Sequence, residues 1–363
     1  MLNHIITLLV VIFLVLGGAD YLLGNRFGLG AEFEKGIEAA GRLLLCMTGF
    51  LVLAPVIAAL LSPLVVPFFR SFGVDPSLFS GIVFANDTGG FPLAMELADD
   101  AAMGRYSGVI VGSMLGSTIM FHIPFCIAYS KPEQQAATVY GLLAGIITIP
   151  FGCLAGGFVA GFPTDALLRN TLPIALISAV LALMLLFFRR LIVRILTLFG
   201  KLILFLSVVG LVIAAVQRLS GITIIPALGS LDEVFSIVGN ICIFLAGIFP
   251  LIHMVERLFG TGLRRTADRI GINQPALSGL LLCLANGVPV WELLKDMDDR
   301  GRMLNTAALV SGSCIIGDHL AYTTQIAPDL CSALLAGKFV GMTLALLLAA
   351  FLAPRLLKTS AAK

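Results

Sequence analysis

Eleven stretches of about 20 predominantly apolar residues run through this chain, at roughly 5–23, 41–62, 78–98, 106–129, 137–161, 167–188, 191–216, 234–258, 277–297, 303–323 and 329–352. At about 1.5 Å of rise per residue, each is long enough to cross about 30 Å of hydrocarbon as a helix. Lipid offers no water to an unpaired backbone group, so such a run folds as a helix rather than as a loop or an open strand. A β-barrel would need alternating polarity, and these runs are continuous. Composition removes the remaining classes. Of 363 residues, 59% are apolar and 12% charged, with mean hydropathy +1.04; a soluble domain is roughly a quarter charged. A net charge of +2 is too small for a nucleic-acid footprint. The expected class is an all-α polytopic membrane protein with the lipid bilayer as partner, no nucleic acid and no cofactor; a homo-oligomer and a monomer fit the sequence equally.

The first run begins at Ile5 with no Lys or Arg before it, so no cleavable signal peptide is expected. Of the seven cysteines, Cys46, Cys126, Cys153, Cys242, Cys283 and Cys314 lie inside apolar runs and Cys331 starts one. No CxxC spacing occurs, and small packing residues are expected rather than a disulfide framework or metal site.

The chain repeats itself. At a shift of 198, Gly41, Gly49 and Gly73 meet Gly239, Gly247 and Gly271, and Ser80-Gly81 meets Ser278-Gly279. At 200, Ala85-Asn86 meets Ala285-Asn286, and at 196, Glu96-Leu97 meets Glu292-Leu293. This ordered series divides the chain into repeat one (1–161), a linking span (162–198), repeat two (199–354) and a short cytoplasmic tail (355–363). Two-fold internal repeats are a mark of secondary transporters.

One segment in each repeat is broken. The third contains Asn86-Asp87-Thr88-Gly89-Gly90-Phe91-Pro92 and the ninth Asn286-Gly287-Val288-Pro289. Glycine and proline interrupt helices, so each is either a kinked span or a re-entrant hairpin. Basic residues concentrate on the cytoplasmic side of membrane proteins. If all eleven segments cross, Lys and Arg divide 10 against 12, with Lys338 inside the membrane. If the third and ninth re-enter, the division is 18 against 4, the four being Arg70, Arg105, Arg169 and Arg218. The charge asymmetry therefore favours nine full spans plus two hairpins over 11 spans, with the N-terminus outside. One linking span then makes repeat two inverted relative to repeat one, and the hairpins meet near the midplane.

Ionisable residues inside a membrane are costly and point to function. Asp87 lies in a broken segment beside Asn86 and Thr88, where free backbone groups can meet a ligand, and Gly89 and Gly90 allow close approach. The structural alternative is a capped helix kink. Asp318-His319 can hold a cation or relay a proton; the alternative is a pair at the membrane surface. His122 holds the comparable place in repeat one, and His253 reads as a helix-end histidine. Trp291, the only tryptophan, could offer a π face to an ammonium group with Phe91 or Tyr322, or anchor at the interface. Lys338 falls near mid-membrane. It suggests an internal ion pair with Asp318 or Asp87, the alternatives being snorkelling or capping of a hairpin's carbonyls.

No GxxxxGK[ST], HExxH or GxSxG occurs, which removes P-loop pumps and two hydrolase classes. One enzyme reading survives, a metal held by Asp296, Asp298 and Asp299 with Asp318 for phosphoalcohol transfer, although Arg300 and Arg302 neutralise that cluster. A sensory membrane protein that binds without transporting is the other non-transport reading.

At these residues the chain resembles EutH, the ethanolamine utilisation family of bacterial membrane transporters. The likeness is carried by Ala85-Asn86-Asp87-Thr88-Gly89-Gly90-Phe91, Tyr106-Ser107-Gly108-Val109-Ile110-Val111-Gly112-Ser113-Met114, Ala144-Gly145-Ile146-Ile147-Thr148-Ile149-Pro150 and Gly152-Cys153-Leu154-Ala155-Gly156-Gly157. Leu284-Ala285-Asn286, Met297-Asp298-Asp299-Arg300-Gly301, Gly317-Asp318-His319-Leu320 and Gly337-Lys338 continue it in order to about residue 350. The resemblance implies uptake of ethanolamine across the bacterial inner membrane by a non-enzymatic, multi-pass protein. Ethanolamine is a small cation with one hydroxyl; Asp87 and Asp318 suit its ammonium, Asn86, Thr88 and Asn286 its hydroxyl, and Trp291 offers a π face.

Overall fold

The computed structural model describes residues 2–361, with side chains except at 2–6, 42, 256, 259–261, 263, 264 and 358–361. From the charge tally, Arg42, Arg264, Lys358 and Lys363 therefore lie outside the described side chains, as does the end of the tail at 362–363. Among the described residues the secondary structure is entirely helical. Seven helical stretches are long and apolar enough to cross a membrane: Leu29–Ser71, Ala101–Ala128, Pro132–Val159, Thr164–Phe187, Arg189–Ser220, Leu231–Val255 and Pro328–Leu357. A shorter apolar helix covers Thr7–Leu22.

The first part of the chain forms α1 (Leu2–Leu22), α2 (Leu29–Leu43), α3 (Gly49–Ser71), α4 (Leu78–Val83), α5 (Phe91–Leu97), α6 (Ala101–Arg105), α7 (Ile123–Ala128) and α8 (Gln135–Val159). Wide π turns at 44–48 join α2 to α3, and π turns over most of 106–122 join α6 to α7. Then come α9 (Thr164–Phe187), α10 (Arg189–Ser220), α11 (Leu231–Ile270), α12 (Gln274–Leu282), α13 (Gly287–Leu293), α14 (Asp299–Gly312), α15 (Asp318–Ile326) and α16 (Cys331–Ala361). The second apolar segment, expected at 41–62, thus begins earlier. Its extension α2 carries Glu32, Lys35 and Glu38 on one side and packs the other on α1 and α11. The expected 234–258 likewise continues to Ile270, because the charged turns after Val255 remain helical until Gly271. That residue takes a left-handed φ of 72°, and its N–H closes on the Ala267 carbonyl at 2.8 Å.

Apolar content sorts the helices between protein and lipid. α9 and α10 present Leu172, Leu176, Leu198, Phe205 and Leu219 outward, each more than half exposed. An apolar surface of this extent marks a face that meets lipid or another protein. The interior is built on α8, which packs against α14 and α16.

Both broken segments fold back on themselves. A straight helix from 75 to 100 would separate its ends by about 37 Å at 1.5 Å per residue. Instead the Asp100 N–H donates to Asp75 Oδ2 at 3.0 Å, and Ser80 Oγ donates to the Gly90 carbonyl at 2.7 Å. α4 and α5 are thus the two arms of a hairpin, with Phe84 and Ala85 extended at its tip. Gly89 makes the turn at a φ of 90°, where a Cβ would lie 1.9 Å from the Phe50 ring. The second segment closes in the same way. The Asn273 N–H donates to the Asp298 carboxylate, and Asn273 Nδ2 to the Asp296 carbonyl at 2.9 Å.

These two clasps sit at opposite ends of the stretch 101–128. Asp100 caps its first turn, accepting the Ala102 N–H at 2.9 Å. Beyond its other end, Gln134 Nε2 donates to the Lys295 carbonyl beside the second clasp at 2.9 Å. At the first mouth Arg70 pairs with Asp99, and that hydrogen bond holds the Asp99 carboxyl below its usual range. Arg105 reaches Asp329 at 2.5 Å on the same side.

Candidate functional site

The hairpin tips converge in the interior. Asp87 is 8% exposed and Asn86 is fully buried. Thr88 Oγ1 donates to Asp87 Oδ1 at 3.0 Å, and His319 Nε2 lies 4.0 Å from the same oxygen. His319 is the second residue of α15, which begins where the stretch 299–326 unwinds between Gly312 and Asp318. Its neighbour Asp318 faces the other tip, where Asn286 Nδ2 donates to Asp318 Oδ2 at 2.8 Å. Asn286 Oδ1 in turn caps α13 by accepting the Val288 N–H at 2.8 Å. The unwound residues 313–317 pair edge to edge with the second tip: Cys314 N–H reaches the Cys283 carbonyl and Ile316 N–H the Leu284 carbonyl, both at 2.9 Å. A polar line therefore runs Asp87, His319, Asp318, Asn286, joining residues more than 200 positions apart.

Lys338 lies beneath this line, wholly buried. Its Nζ donates to the carbonyls of Ser113 and Ser313, each at 2.8 Å, and to that of Ser311 at 3.5 Å. Capping of freed carbonyls, one of the arrangements expected for this lysine, is thus what its hydrogen bonds make. The ammonium remains within electrostatic reach of Asp87 and His122. None of the three serines is marked by charge in the sequence; the signal available was the Ser-Gly-Ser run at 311–313 on a span that also carries Asp318.

His122 and Trp291 form a second cluster. Trp291 stacks on Phe125 with ring centroids 4.6 Å apart at 17°, and lies 5.9 Å from His122. Among the described residues its ring contacts are these two, where the sequence suggested Phe91 or Tyr322. Phe91 instead lies against the span that follows its own hairpin, where a Cβ at Gly108 would lie 3.0 Å from the Phe91 ring. The second hairpin thus rests Trp291 on the stretch 101–128.

A cleft of about 540 Å³ between α2, α11 and the second hairpin leads to Asn286 and Asp318. Glu32, Glu38, His253 and Glu292 line it, with Lys35 bound to Glu32 at 2.5 Å. It lies on the face that holds Arg257, Lys295 and the second clasp. The asparate cluster of the enzyme reading is used structurally: Asp298 accepts the Gly301 N–H at 2.5 Å as well as that of Asn273, and Asp299 pairs with Arg302 at 2.5 Å.

Residues 2–352 match the family described as "Ethanolamine utilisation protein, EutH". The chain belongs to the EutH family. Over 362 residues it is 43% identical to the "Probable ethanolamine permease EutH" of Listeria monocytogenes serotype 1/2a (strain 10403S), spanning 100% of this chain and 97% of that protein. It is 33% identical over 392 residues to the protein of the same name from Salmonella typhimurium (strain LT2), spanning 98% and 96%. It is also 36% identical over 352 residues to "Uncharacterized protein YxeR" of Bacillus subtilis (strain 168), spanning 97% and 95%. No solved structure matches the chain. The resemblance drawn from the motifs is therefore shown: this is an EutH-family chain with seven helical stretches long and apolar enough to cross a membrane, and its Listeria and Salmonella relatives are named as probable permeases.

Proposed function

We propose that this protein takes up ethanolamine across the bacterial inner membrane, binding it between the two hairpin tips. The observation that carries this reading is the buried carboxylate of Asp87 facing His319 beside the Asp318–Asn286 pair. It is a mid-membrane site with a charge for an ammonium and amides for a hydroxyl. The names of the Listeria and Salmonella relatives agree in substrate. The acidic cleft below Asp318 suits passage of a cation to the cytoplasm. Asp87, Thr88 and the Gly89-Gly90 backbone hold the ammonium in this reading, with Phe91 beside them. Asn86 serves the hydroxyl, Asn286 holds Asp318 on the other side of the site, and His319 stands beside Asp87. His122 and Trp291 line the second hairpin.

The architecture that goes with it is nine crossings and two hairpins. The seven long helices, α1 and the interrupted stretch 299–326 make the nine. Repeat one is 1–161, the link 162–198, inverted repeat two 199–354 and the cytoplasmic tail 355–363. The clasps at opposite ends of 101–128 support hairpins that enter from opposite faces. Cysteines placed at the exposed Ala101, Glu133 and Asp296 test this in cells: 133 and 296 should label only from the cytoplasm and 101 only from outside. Labelling of 101 and 296 from one face rules the arrangement out.

Uptake of labelled ethanolamine into proteoliposomes tests the function. The expected result is uptake down the substrate's own gradient, faster with the interior negative and unchanged when sodium is replaced by choline-free potassium buffer. Binding without uptake would instead favour the sensory reading.

A further inference from the structure

We infer that Asn86 reads the hydroxyl group of the substrate and thereby sets selectivity among small amines. The inference rests on the binding site proposed above. Among the described residues, neither amide atom of Asn86 has a hydrogen-bond partner, although the side chain is fully buried. Buried polar groups are nearly always paired, and an exception needs a cause. The repeat supplies a control. Asn286, its equivalent at a shift of 200, satisfies both ends of its amide: the oxygen accepts the Val288 N–H and the nitrogen donates to Asp318. The residue type is therefore not the reason.

The backbone is. The amide equivalent to Val288 N–H is that of Thr88, and it donates to the Ala85 carbonyl at 3.1 Å. The Gly90 N–H closes on the same carbonyl at 2.9 Å. The first tip has thus satisfied its own turn and left the Asn86 side chain with nothing to cap. Its equivalent of Asp318 is also missing, since no carboxylate occurs at 118–122, the positions 196 to 200 earlier. What remains is a buried amide with its donor and its acceptor both open, on the residue before Asp87 in the chain. A hydroxyl is the complementary group, since it donates to Oδ1 and accepts from Nδ2.

Competition against labelled ethanolamine uptake tests this without altering the protein. Ethylamine, which lacks the hydroxyl, and 2-methoxyethylamine, which keeps the oxygen but cannot donate, should each compete roughly ten- to a hundredfold more weakly than unlabelled ethanolamine, because each leaves a buried amide atom unpaired. Asn86→Leu should lose a similar factor for ethanolamine while ethylamine competes as in the unaltered protein, bringing the two amines level; Asn86→Ser should restore part of the preference. Equal competition by ethanolamine and both analogues in the unaltered protein overturns the inference, whatever the variants do. So does an Asn86→Leu protein that transports with its preference intact. Failure of the parent reading looks different: the unaltered protein then takes up no ethanolamine at all, and the inference falls with it.

Discussion

Replacing Asp87 with Asn is expected to reduce ethanolamine uptake by more than a hundredfold while the protein still reaches the membrane. Asp87 is the buried carboxylate at the first tip, 8% exposed. Its hydrogen bond from Thr88 is neutral, and its histidine neighbour stands at 4.0 Å, too far for a hydrogen bond. An ammonium brought to this oxygen would be its direct charge partner. Removing one member of a desolvated pair costs about 3–5 kcal/mol, or roughly two to four powers of ten in binding. The amide is nearly isosteric and can keep the Thr88 contact, so folding should change little. Uptake is to be measured in proteoliposomes with the amount of inserted protein matched. Wild-type uptake by Asp87→Asn would exclude this role, and Asp318→Asn would then be expected to show the loss.

Lys338→Ala should produce the second large effect, on stability and on ion dependence together. The Lys338 ammonium ties Ser113 of one repeat to Ser311 and Ser313 of the other. Its removal takes the ammonium from three buried carbonyls, of which that of Ser113 keeps the Ser117 hydroxyl at 2.9 Å. Hydrogen bonds to a charged group are worth roughly 1.5–3 kcal/mol each, so a loss of at least about 3 kcal/mol is expected. Thermal unfolding in detergent should show this as a fall in Tm. The same carbonyls are oxygen ligands, and unwound carbonyls coordinate sodium in transporters of the broken-helix kind. Sodium should therefore raise the Tm of Lys338→Ala in a concentration-dependent way and leave the unaltered protein unchanged. Lithium and potassium serve as comparisons. A variant as stable as the parent would show that the carbonyls find other donors. Sodium-dependent uptake by the unaltered protein would show that Lys338 does not take the place of a coupling ion.

Much of the site was legible because its markers are local. Asp87 stands beside two glycines and a proline, residues that favour a break in a span. Asp318-His319 is conspicuous because charge is expensive in lipid. The convergence of Asp87 with His319 was not legible, since the two are 232 positions apart and meet only through the packing of α15 on the first tip. The partners of Lys338 were hidden for another reason: they are main-chain carbonyls, which every residue has. The clasps lay between these cases. Asp75 and Asp100 meet Asn273 and Asp298 at a shift of 198, so the recurring pattern carried them, but acids beside a turn look ordinary until the chain is seen to fold back.

The sequence by itself determined an all-helical chain with helices long and apolar enough to cross a membrane, two segments that break, and residues that recur at shifts of 196 to 200. These follow from hydropathy, helix propensity and residue order, each a property of a short window or of a fixed shift. Only the tertiary structure decided that the breaks are folded hairpins, that their tips meet across Asp87, His319, Asp318 and Asn286, and that the same asparagine is satisfied in one repeat and left open in the other. Those outcomes depend on which backbone groups reach each other once the helices pack. The same Ala-Asn pair occurs at 85–86 and 285–286, so no local rule could tell the two apart. The difference lies in whether the amide two residues on turns to the side chain, as at Val288, or to the main-chain carbonyl, as at Thr88.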